Sequence, residues 1–229
     1  MPLISANQPY FAPYPGFFYK AHLSDIFVIL DTVQFPRGPT WLTKNRFKND
    51  KGGLWIPIPV WKKGLGLQRI DRVKICQAFF FPEKHLISLK TAYARAPFFM
   101  DHVPFLSEIL SKGFERLLDL NMEIIRYLMR TLHIDTKVVL LSELAIEARG
   151  DRLLVEICQK LDGDGFLAQN AARKYLGEEA FHAAGIHVRF FKTPTLTYPQ
   201  LWGNFIPNLS AFDLVFNCGP KARDVLLSK

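Results

Sequence analysis

The chain has 229 residues, 49% of them hydrophobic and 22% charged, which is enough apolar material for a sizeable core and excludes both a peptide-sized scaffold and wholesale disorder. No uninterrupted apolar run approaches the ~18 residues of a spanning helix, so no membrane insertion is expected. The formal net charge is +8, and residues 36–74 hold ten basic against two acidic side chains, an excess equal to the whole of it.

In chain order, Leu3 to Ala6 reads as an opening strand and runs into a loop with Pro9, Pro13 and Pro15, where regular structure is forbidden. The opening Met1-Pro2-Leu3-Ile4-Ser5 lacks a basic stretch followed by a long apolar one, so the cytoplasm is the expected compartment. Phe17 to Leu23 is suited to a helix, and the apolar run Ile26 to Leu30 to a strand buried on both faces. Strand, loop, helix and strand in that order signal a parallel crossover unit. Leu54 to Val60 contains two prolines, which restricts it to an edge or irregular strand.

From Pro82 to about His133 the periodicity turns helical, with Phe114, Leu117, Leu118, Ile124, Ile125 and Leu128 on one stripe and Asn121 inside it. Crossover patterning then resumes: a strand over 137–141, a helix over 151–161, a strand over 165–168, a helix over about 170–184 and a strand over 186–191. The expected fold is a doubly wound, mainly parallel α/β sheet with an inserted helical subdomain. Its expected parts are an N-terminal α/β half over 1–81, a helical insertion over 82–133 and a C-terminal α/β half over 134–229.

Candidate chemistry gathers near the amino terminus. The loop after the first strand packs Tyr10, Phe11, Tyr14, Phe17, Phe18 and Tyr19 around Pro13, Pro15 and Gly16. Ligands of open α/β sheets bind beyond the carboxyl ends of the strands, where this loop starts. Gly16 lets backbone approach a ligand, the following helix offers free N–H groups to an anion, and Lys20 adds a charge. The alternative is that the rings are core and the prolines shape a turn. Asp31, directly after the second strand, is placed to bind a ribose hydroxyl, hold a metal or accept a proton, or else to cap the next turn. Gln34, Arg37, Lys44, Asn45 and Arg46 follow closely enough to line one rim, which attracts a phosphate or is simply a solvated basic edge. Ser210, three residues before Asp213, resembles a capping box opening a helix that Asn217-Cys218-Gly219 closes.

Other chemistries are disfavoured. Cys76, Cys158 and Cys218 are far apart, and no two of the six histidines share an H-x-x-x-H spacing, so neither a disulfide framework nor an all-protein metal site is expected. No G-x-S-x-G, G-x-G-x-x-G or P-loop motif occurs, and no cofactor is specified.

Several segments carry a family resemblance: Gln8-Pro9 with Pro13, Gly16, Phe17 and Lys20; Asp25 with residues 27–31; Val33-Gln34-Phe35; and Asn45-Arg46. Further along come Lys84-His85, Tyr93 with Ala96-Pro97, Asn121, and Tyr198 with Gln200, Phe205, Pro207, Leu209-Ser210, Asp213 and Phe216-Asn217. Together they resemble the WbqC-like family of bacterial clusters for surface polysaccharides such as O-antigen. The resemblance implies a transferase acting on a sugar or nucleotide-linked substrate, with aminoacyl or acyl transfer as one form. It adds Pro13, Asn121, Gln200, Ser210, Asp213 and Asn217 to the candidate substrate-binding residues, beside Gln8, Tyr10 and the basic rim. Asp31, Lys20 and Asn7 are the catalytic candidates. Two positions depart from the family pattern: Asn7 stands where a histidine is usual, and residues 167–170 replace a usual serine-glycine pair. An amide hydrogen-bonds but does not exchange a proton usefully near neutral pH. The layout is also similar, at fold level only, to nucleotidylyltransferases. The expected partner is a phosphorylated or nucleotide-linked small molecule. Rival readings are a nucleic-acid or nucleotide binding module using Trp41, Phe47, Trp55 and Trp61, and a non-catalytic scaffold.

Overall fold

The computed structural model describes residues 1–228. Contacts divide the chain into two units: Met1–Gln8, Gly16–Thr32 and Ile134–Thr193 form the first, and Pro9–Pro15, Val33–His133 and Pro194–Lys229 the second. The chain passes from the second unit to the first between His133 and Ile134.

The first unit is a Rossmann-like α/β layer. Strands β1 (Leu3–Asn7) and β2 (Ile26–Ile29) are joined through helix α1 (Pro15–His22). They belong to a five-stranded parallel sheet with β5 (Lys137–Leu140), β6 (Gly165–Gln169) and β7 (His187–Phe191), in the order β5-β2-β1-β6-β7. Helices α5 (Gly150–Lys160) and α6 (Glu178–Ala183) make the later crossovers. Strand β2 is buried along its whole length, as an apolar strand covered on both faces must be. Phe17 of α1 meets the Phe27 ring edge-on at 5.0 Å, which seats the helix on the sheet. The helix expected over 170–184 is instead a single-turn helical segment at Asn170–Lys174 followed by α6. Between them the Gly177 N–H donates to Asp151 Oδ2 at 2.9 Å, where a Cβ would stand 2.9 Å from the same oxygen. Gly177, extended at φ −79° and ψ 93°, stands at the break before α6.

The second unit pairs β3 (Lys44–Asn49) with β4 (Gly52–Pro57) in an antiparallel ribbon. Around it lie α2 (Pro82–Tyr93), α3 (Phe99–Ser111), α4 (Leu117–Thr131), α7 (Ala211–Cys218) and α8 (Ala222–Leu227). Its core is aromatic: Phe216 meets Tyr93 and Phe99 at 5.0 Å each, and Phe47 stacks on Phe212. Among the described residues no helix is long and apolar enough to cross a membrane.

Candidate functional site

In the first unit the sheet order reverses at β1, with β2 and β5 to one side and β6 and β7 to the other. Such a reversal opens a crevice beyond the carboxyl ends of the two diverging strands. Here β1 and β6 pair only at Leu3↔Gly165 and Ile4↔Phe166, while β1 stays paired with β2 through Asn7↔Ile29 and β6 with β7 through Gln169↔Phe191. The ladder between β1 and β6 thus ends at Ile4↔Phe166.

Lys20 lies beside the end of β1. The Leu3 and Asn7 carbonyls accept from Asp25 N and Leu30 N on the β2 side, so strand alternation turns the Ala6 carbonyl toward β6. With no β6 donor to meet it, the Ala6 oxygen accepts from Lys20 Nζ at 2.6 Å. The lysine is 7% exposed, and among the described residues no carboxylate lies within ion-pair distance of its ammonium. Burial lowers its pKa to about 8.

Asn7 and Gln8 end the same strand, and Asn7 Nδ2 donates to the Gln8 carbonyl at 3.0 Å. Gly16 is buried in the first turn of α1. Asp31 is buried at the end of β2, and its Oδ1 accepts from Ser142 N at 3.0 Å. It thus holds the turn after β5, not the turn following Asp31 itself that the sequence suggested as its structural role.

The second unit contains the aromatic loop and an open cleft. Three prolines deprive residues 9–15 of backbone donors, so the loop carbonyls are satisfied from outside. Asn121 Nδ2 donates to Pro9 O and Leu42 O, Asn45 Nδ2 donates to Phe11 O and Ala12 O, and Ala211 N donates to Pro13 O. Ala12 is held at φ 42°, a region costly for a residue with a Cβ. Asn45 and Asn121 are therefore clamps on a preformed loop, and Asn121 Oδ1 is left buried without a hydrogen-bond partner.

Tyr10 and Tyr14 of this loop line a cleft of about 600 Å³ with Trp41, Trp55, Asn45, Arg46 and Asn208. The two indoles stack with centroids 5.7 Å apart, each 45% exposed, and Lys44 Nζ lies 4.8 Å from the Trp55 ring centroid. Arg46 Nη2 donates to Pro207 O at 2.8 Å, whereas its buried Nε has no partner.

The basic residues do not form one rim. Arg37 lines a different, smaller pocket with Lys62 and Gln68, and Gln34 is exposed and bridged to Arg69. Lys48, one of the ten basic residues of 36–74, is 1% exposed and donates to Gln200 Oε1 and Asn204 O. The C-terminal candidates are internal. Ser210 Oγ caps α7 by accepting from Phe212 N, and Asn217 Nδ2 donates to Asp213 O. Asp213 is fully buried and accepts from Tyr93 Oη at 2.7 Å and Tyr198 Oη at 2.8 Å. Burial raises its pKa, although both tyrosine donors oppose the shift. The same burial pushes the Cys218 thiol up to about 11, well out of the nucleophilic range.

Of the cleft residues, Tyr14 was singled out on sequence only as one of the loop aromatics, and Asn208 not at all. The aromatic crowding of the loop pointed to Tyr14; nothing local marked Asn208, which takes φ 56°.

The model of the WbqC-like protein family matches residues 8–225. A curated relative from Mycobacterium tuberculosis (strain ATCC 25618 / H37Rv), described as uncharacterized protein Rv1507c, is 28% identical over 228 residues, covering 99% of this chain and 98% of its own length. No solved structure matches.

Proposed function

The chain belongs to the WbqC-like protein family, and from that premise we propose that it is a transferase for a phosphorylated or nucleotide-linked sugar in surface polysaccharide synthesis. The observation that carries this reading is the buried Lys20 ammonium, bonded to one carbonyl at the point where the parallel sheet divides. A cation held out of water without a carboxylate favours an incoming anion, because Coulomb attraction is strong where solvent is excluded.

Without ligand, burial holds the Lys20 pKa at about 8; an anion beside the ammonium raises it again, so Lys20 serves the bound substrate as a cation. The Asn7 and Gln8 side chains then orient the substrate at the strand end, and Asp31 holds the neighbouring turn.

Sugar phosphates, which carry no nucleoside, at ~100 times their dissociation constant should stabilise the fold by about 2.7 kcal/mol, a rise of roughly 5–10 °C in melting temperature for a chain of this size. Lys20→Met should lose that rise while remaining folded by circular dichroism. Unchanged melting temperatures with every such ligand, or a full rise in the Lys20→Met variant, would count against the reading.

A further inference from the structure

The cleft in the second unit supports a separate inference. Two partly exposed indoles offer flat apolar surface, Lys44 lies over one of them, and Arg46 lines the same cleft. A ligand satisfying all of these carries a planar ring and an anionic or carbonyl oxygen a few ångströms away. We propose that this cleft binds a single nucleoside phosphate, its base stacked on the Trp41–Trp55 pair and its phosphate taken by Arg46 and Lys44.

Size and rigidity favour a mononucleotide. About 600 Å³ falls in the range of small-molecule sites, whereas a single nucleic-acid strand needs a groove that tracks several phosphates. Arg46 is also preplaced: its Nη2 is tied to Pro207 O, its backbone N–H donates to Asn45 Oδ1, and its backbone carbonyl accepts from Ser210 N. Its stem crosses Gly53, where a Cβ would stand 3.1 Å from Arg46 Cδ. Lys44 is only loosely held, since an exposed cation–π contact is weak and is readily exchanged for a phosphate.

The test is titration calorimetry of the full chain with adenosine and uridine 5′-monophosphates, the corresponding nucleosides, ribose 5-phosphate and a single-stranded oligonucleotide. The mononucleotides should bind at least about tenfold more tightly than either the nucleosides or ribose 5-phosphate. Trp55→Leu and Trp41→Leu should each weaken nucleotide binding about tenfold. Arg46→Met should weaken nucleotides and leave nucleosides unchanged, and Gly53→Ala, which only displaces the arginine, should act in the same direction more mildly. Lys20→Met should leave nucleotide binding at the cleft intact, so this proposal and the sheet-edge reading fail separately. In the Lys20→Met background, equal binding of ribose 5-phosphate, binding that survives Trp41→Leu/Trp55→Leu in a chain of native circular dichroism, or no mononucleotide binding at ~10 mM would overturn it. An oligonucleotide bound more than about a hundredfold more tightly than a mononucleotide would overturn it in favour of a nucleic-acid surface.

Discussion

The Lys20→Met variant is expected to fold at least as well as the parent chain at pH 7 and to lose that standing by pH 10.5. Burial takes the Lys20 pKa from 10.5 to about 8. Below pH 8 folded and unfolded chains both carry the proton, and the folded state bears the cost of a desolvated charge. Between pH 8 and 10.5 the unfolded chain holds more protons, so stability rises with pH across that window. The drop corresponds to about 3 kcal/mol. Methionine removes this cost at pH 7 but leaves the Ala6 carbonyl without its donor, a loss of about 1–3 kcal/mol. Urea denaturation at the two pH values should show the parent gaining about 3 kcal/mol on the variant as pH rises. Parallel pH profiles would sink the account. An anion bound in the crevice reverses the burial effect by raising the lysine pKa. Ligand binding near pH 8 should therefore take up protons, seen as a binding enthalpy that depends on the ionisation heat of the buffer. A lysine present only to satisfy Ala6 would give a destabilised variant at pH 7 and no proton uptake.

What made the sheet legible was its apolar runs. Ile26 to Leu30 was expected as a buried strand and Ile26–Ile29 is one, because a parallel strand covered on both faces has no room for polar alternation. Strand β3 was not visible: Lys44-Asn45-Arg46-Phe47-Lys48-Asn49 contains residues depleted in strands, and only tertiary contacts give them a strand environment. The crevice was legible in part. Lys20 and the end of β1 followed from crossover logic, but the early parting of β1 and β6 is a fact of register that no local pattern encodes. The roles of Asn45 and Asn121 were hidden for a related reason. The prolines announce that the loop lacks donors, yet not that the donors come from positions 45 and 121. Asp213 could be read as a helix-start residue; its partners lie 15 and 120 positions away.

Asp213→Ala is expected to be among the most damaging single changes in the second unit. The carboxylate accepts from two buried hydroxyls, and Tyr93 Oη in turn accepts from the Lys48 backbone N–H at 2.8 Å. Alanine leaves both tyrosines without an acceptor in a site closed to water, at about 1–3 kcal/mol for each stranded group, so a loss of roughly 4 kcal/mol is expected. Asp213→Asn keeps one acceptor oxygen and deletes a buried charge, and should cost far less. The pH dependence separates charge from hydrogen bonding. Burial raises the folded-state pKa of Asp213, so its contribution is fully present below the unfolded value and is lost as pH rises through the folded one. Asp213→Asn should lack that loss, making its deficit smaller at pH 7 than at pH 4. The tyrosines should rank in order as well. Tyr93→Phe strands both a backbone N–H and a carboxylate oxygen, whereas Tyr198→Phe removes one donor, so the former should be the more destabilising in urea unfolding. Were Asp213→Ala to stay within about 1 kcal/mol of the parent, the network would not be holding α7 against the ribbon, and the cleft residues on β3 would need another anchor.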